Sequence, residues 1–206
     1  LNSRLLGDNN TWRNKMTSGR LSAFTDGIVA ILITVMVLNL RIPKGPNWTD
    51  LFDMGFIFLT YLASFYLLAI YWNNHHHLFH LAERVSGRIL WWNVVLLFFM
   101  SFIPFTTNWL SEFSGSKTPE IVYAVNNLFI DIIFNILSYE IFKSRNYKLK
   151  DMHWVWKGGF SILILMVGIL LTVLLPVAQI SLVATILSMI PWVIPDKQIE
   201  NYVNKN

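Results

Sequence analysis

Apolar positions run almost unbroken through six stretches of this chain, separated by short segments rich in polar residues, proline and basic side chains. The stretches cover residues 21–40, 51–72, 89–110, 121–142, 158–175 and 177–194. A bilayer core of about 30 Å takes roughly 20 apolar residues in an α-helix, and each stretch is about that long. The pattern predicts an all-α membrane protein with six transmembrane helices. The connections at 41–50, which holds Pro43 and Pro46, and at 111–120 are too short for a soluble domain. The last two stretches meet at Pro176 and predict a tight helical hairpin. With no internal repeat in view, the chain divides into an N-terminal tail at 1–19, one membrane domain at 20–195 and a C-terminal tail at 196–206.

Composition supports this division. Hydrophobic residues make up 54% of the chain and charged residues 14%, against roughly a quarter charged in soluble domains. Nine Trp and seven Tyr suit the membrane–water interface, where an amphipathic ring meets both media. The absence of cysteine excludes disulfides and thiolate metal sites. The first 19 residues are polar and basic and lack the apolar core of a cleavable leader.

The net charge of +4 could suggest a nucleic-acid partner, but the distribution of the basic residues argues for topology instead. Thirteen of the 16 Lys and Arg residues fall in the two tails and in the second and fourth connections. Only Arg41, Lys44 and Lys117 fall on the other side. Positive loops stay in the cytoplasm, so the expected placement is the cell membrane with both termini cytoplasmic.

The first stretch carries the most chemistry. Asp26 lies inside its apolar run, and a carboxylate near the centre of a spanning helix costs roughly 2.5–3.5 kcal/mol. A partner on another helix or a water-filled cavity must offset that. At about 100° per residue, Ile31, Thr34, Val35 and Leu38 fall within an arc of about 100°, and Phe24 lies one heptad before Ile31 on the same stripe. Asp26 points about 140° away from Ile31. If the stripe faces a pore axis, Asp26 faces back into the bundle as an anchor between helices. Arg20 is six residues before Asp26 and cannot pair with it along one helix.

The run Arg20-x-x-x-Phe24-Thr25-Asp26 resembles the Arg-x-x-x-Phe-Ser-Asp signature that opens the first helix in the transmembrane protein 175 family of potassium channels, with Thr for Ser. Gly27, the six-stretch layout, Trp72-x-x-His75-His76-x-Leu78-Phe79, Trp92-Asn93 and Pro104-Phe105 are also similar. The resemblance implies a homotetramer in the lipid bilayer, with the four first helices lining a potassium-preferring pore and no cofactor beyond the permeant K⁺. Selectivity would come from side-chain rings, and the chain indeed has no Thr-Val-Gly-Tyr-Gly loop. By resemblance, Ile31 forms the narrowest ring, Thr34 a hydroxyl ring one turn on, and Val35 and Leu38 further apolar rings. His75 or His76, with Trp92 and Asn93, would form a hydrogen-bonded shell around the motif.

His75, His76, His77 and His80 cluster at the end of the second stretch. His76 and His80 share a helix face, but no Cys or suitably spaced acid completes a metal site, so none is expected. A histidine near neutral pKa could also sense pH, while His77 and His80 read most simply as interfacial residues of a cytoplasmic loop. Asn127, Asp131 and Asn135 form a polar stripe on the fourth stretch, a pattern that favours interhelical hydrogen bonding over a second hydrophilic path. Pro104 predicts a kink in the third stretch. Two competing classes remain open: a secondary cation or proton transporter, which would show paired repeats and broken helices, and an intramembrane enzyme, which would need convergent acid, base or metal groups.

Overall fold

A computed structural model describes residues 18–82, 85–145, 153–177 and 179–193. Most of the two predicted tails, the connection residues Arg84, Lys148 and Lys150, and the predicted end of the last stretch at Ile194 lie outside the described residues. The described chain is all-helical: α1 (Ser18–Leu38), α2 (Trp48–Phe52), α3 (Gly55–Leu81), α4 (Gly87–Met100), α5 (Ile103–Glu112), α6 (Lys117–Ser144), α7 (His153–Leu174) and α8 (Ile180–Val193).

Five segments are long and apolar enough to cross a membrane: α1, α3, the α4–α5 pair, α6 and α7. The sixth predicted span corresponds to α8, whose described part has 14 residues. That is about 21 Å of helix, short of the roughly 30 Å core. Pro176 lacks an N–H and crowds the preceding turn, which ends α7 at Leu174. The late start of α8 at Ile180 follows from Gln179, whose φ of 71° is not helical.

Three other boundaries differ from the apolar pattern. The second stretch begins as α2, a separate short helix whose Asp50 carboxylate accepts the Asn47 backbone N–H at 3.1 Å. Its main helix, α3, then continues to Leu81 and carries all four clustered histidines. With 27 residues α3 is about 40 Å long, so its last turns outreach the apolar core. The third stretch breaks before its proline rather than bending at it. Ser101 N–H bonds Leu97 O at 2.9 Å, and Phe102 N–H tightens onto Phe99 O at 3.1 Å. Helix α5 then restarts at Ile103 with Pro104 in its first turn, where the missing N–H costs nothing.

The helices pack as one bundle. α1 lies against α3 and α5 and more lightly on α4; α6 contacts α4, α5, α7 and α8. The core holds a cluster of rings in which Phe134 and Trp192 meet edge-on and Trp192 meets Trp154 at 4.9 Å between centroids. α7 and α8 approach tightly at Gly168, where an added Cβ would collide with the Ala184 Cβ. At the hairpin, Gln179 adopts φ 71° and its N–H is taken by the buried Glu120 carboxylate of α6. An Arg41–Glu112 ion pair joins the far end of α1 to α5.

Candidate functional site on the first helix

Helix α1 has two opposed faces. Leu21, Thr25, Val29, Leu32 and Met36 are buried against the bundle. On the opposite side Phe24 is 56% exposed, Ile31 62%, Val35 37% and Leu38 76%. Thr34 lies on the same open face, and its hydroxyl donates to the Ala30 carbonyl at 2.8 Å. The Thr34 oxygen therefore turns only lone pairs outward. Gly27 interrupts the stripe, and a Cβ there would meet nothing within 4 Å. Arg20 is exposed in the first turn.

The polar motif faces other helices. The buried Thr25 hydroxyl donates to Leu21 O and accepts from Asn93 Nδ2 of α4, each at 3.1 Å. Asn93 Oδ1 in turn accepts from His75 Nε2 of α3 at 2.7 Å. Asn93 is 0% and His75 1% exposed, so this relay joins three helices away from water. Because the amide oxygen must accept, the imidazole carries its proton on Nε2. His75 Nδ1 is a buried acceptor without a partner among the described residues, and Phe79 stacks on the ring at 4.3 Å.

Asp26 is half-buried, and its Oδ1 accepts from Trp72 Nε1 of α3 at 2.9 Å. This corrects the expected shell: Trp72 meets Asp26, whereas Trp92 lies on α4 beside a groove formed with Ser86, Arg88, Trp91, Glu140 and Lys143. Asn93 and His75 serve Thr25 rather than the carboxylate. The Trp72 ring stacks on His76 at 6.1 Å, and His76 Nε2 lies 2.9 Å from His80 Nε2. His76, Phe79 and His80 border an open pocket of about 300 Å³, which also touches Ser18, Ser22 and Asp26. His77 and His80 are on the helix, not in a loop. Among the described residues no three His or acidic groups are placed to hold a metal ion.

Trp72 had a signal in the sequence. It sits one turn before His76, and an indole N–H is a donor that an ionised carboxylate needs. Less legible was the surround of the fourth-stretch polar stripe. Asp131 Oδ2 accepts from Ser161 Oγ of α7, and Trp192 Nε1 of α8 donates to the same hydroxyl at 3.2 Å. Ser161 and Trp192 lie in strongly apolar stretches with no periodic mark.

A family model described as "Endosomal/lysosomal potassium channel TMEM175" matches residues 20–104. A potassium channel from Chryseobacterium sp. is 40% identical over 197 residues, which cover 93% of this chain and 100% of that protein. One from Chamaesiphon minutus is 34% identical over 129 residues, 58% of this chain and 64% of its own length. The fold is similar to the crystal structure of a lysosomal potassium-selective channel TMEM175 homolog from Chamaesiphon minutus. That superposition has a TM-score of 0.72 and 26% identity over 85% of this chain and 96% of the other. The site residues of α1 and their partners Trp72, His75 and Asn93 all fall inside the matched segment, and the Chryseobacterium relative is covered end to end: the chain belongs to the TMEM175 family.

Proposed function

We propose that this protein is a potassium-preferring cation channel of the cell membrane, formed by four copies with α1 of each lining the pore. Each subunit would cross the membrane six times, with α8 as the sixth crossing and both termini cytoplasmic. The observation that carries this reading is the split character of α1. Its polar motif is bound to α3 and α4, while Phe24, Ile31, Thr34, Val35 and Leu38 are left open on the far side. The names of the relatives point the same way.

In this reading Ile31 is the constriction. Four Ile side chains offer a cation no ligands, so the ion keeps part of its water there, and the narrow apolar ring also gates by dewetting. Thr34 lies one turn on. With its proton given to Ala30 O, its oxygen is a ready acceptor for a partly dehydrated cation. Val35 and Leu38 extend the apolar wall. Bilayer recordings under potassium–sodium bi-ionic conditions test this. Ile31→Ala and Ile31→Asn should raise conductance and shift the reversal potential toward non-selectivity. Unchanged conductance and reversal potential would overturn the assignment.

A secondary cation or proton transporter is the competing reading, and the break between α4 and α5 is the feature that favours it. Single-channel steps support the channel; saturable turnover without steps supports the transporter.

A further inference from the structure

We propose that each subunit holds a small monovalent cation, sodium-sized, in a second site formed by Asp131, Asn127, Ser188 and Asn74 between α3, α6, α7 and α8, apart from the α1 face. Asp131 is 1% exposed in the middle of α6. Its carboxylate is met by uncharged groups: Ser161 Oγ, Asn135 Nδ2 at 3.2 Å and the Tyr71 hydroxyl. All of these can donate to an ionised carboxylate. Neutral donors do not balance its charge, however, and an ion inside a membrane is costly until a counter-charge joins it.

Beside the carboxylate is a cavity with room for one water-sized particle. Acceptors border it. Asn127, one turn before Asp131, is 1% exposed, and its Oδ1 has no hydrogen-bond partner among the described residues. Ser188 gives its proton to Thr185 O at 2.7 Å, so its oxygen is left to accept. Asn74 donates through Nδ2 to Ile70 O and Trp192 O, which leaves Oδ1 as its remaining group. A water molecule would partner these atoms but would not balance Asp131. A monovalent cation does both. One carboxylate suits one positive charge, whereas a divalent ion demands more charged oxygens or several retained waters.

The test uses the purified full-length protein in detergent at constant ionic strength. Melting is followed while sodium chloride replaces N-methyl-D-glucamine chloride, and radiolabelled sodium binding is counted in parallel. The wild type should show a saturable rise in melting temperature with sodium and one bound sodium per subunit that Asp131→Asn lacks. Ile31→Ala, altered only on the α1 face, should keep both effects, which separates this site from pore ions and from the fate of the channel reading. Should Asp131→Asn fail to fold, Asn127→Ala and Ser188→Ala serve instead, each weakening sodium binding by about tenfold through loss of one oxygen ligand. A wild type whose melting ignores sodium, or variants that bind it unchanged, would overturn the proposal and leave the cavity holding water only.

Discussion

Trp72 Nε1 donates to Asp26 Oδ1 at 2.9 Å, which ties the costliest residue of the first helix to the third. A hydrogen bond to a charged group is worth about 1.5–3 kcal/mol, and the part-exposed indole puts this one near the lower end. Trp72→Phe keeps most of the ring and removes the donor. It should lower the melting temperature of the purified protein measurably, whereas Trp92→Phe, whose ring is not bonded to Asp26, should cost less. Equal effects would mean that ring size rather than the donor matters at position 72.

The Thr25–Asn93–His75 relay should be more sensitive. Its central amide uses both ends, giving Nδ2 to Thr25 and taking the His75 proton on Oδ1. Asn93→Ala strands two buried groups, each costing about 1–3 kcal/mol. Thermal unfolding should therefore show a larger loss for Asn93→Ala than for Trp72→Phe. A smaller loss would show that water reaches the relay.

Residues 18–38 were legible because two independent signals coincide there: an apolar run of membrane length and a polar motif off its stripe. The wheel angle that separates Ile31 from Asp26 also separates the open and bonded faces of α1. Partners were harder to read, because helix pairing is a tertiary property. Trp72 and Trp92 each stand beside polar residues of a later stretch, far from the motif in sequence, and the crossing of α1 on α3 selects the former. The extent of α3 was hidden because a polar histidine run can continue a helix once that helix leaves the apolar core. Pro104 signalled an irregularity in the third span but not its side. The clash falls on the preceding turn, and the break at Ser101–Phe102 follows from that.

Gly168 predicts a reciprocal rescue. A Cβ at this position would fall far inside van der Waals contact with the Ala184 Cβ. Gly168→Ala must push α7 and α8 apart and should destabilise by about 1–3 kcal/mol, as overpacking does. Ala184→Gly alone costs about 1 kcal/mol of helix propensity. In the double variant the overlap is gone, so the two losses should fall short of additive. Additive losses in a thermal double-mutant cycle would place the strain elsewhere.

Gly27 separates the fold of one subunit from the assembly of several. Within a subunit its Cβ would meet nothing within 4 Å, so Ala does not disturb the bundle and a Leu side chain starts out from the exposed face of α1. Replacing a helix-interior glycine should even stabilise α1 by up to about 1 kcal/mol. If four α1 helices converge on a pore, that open space belongs to neighbouring subunits and to the ion path, and a Leu there has no room. Gly27→Leu should thus preserve helicity and subunit stability while reducing both the tetramer fraction in cross-linking and the potassium current. Gly27→Ala should be mild in both. A Gly27→Leu protein that still assembles and conducts as the wild type does would show that this face looks at lipid, and the pore wall would have to be sought on another helix.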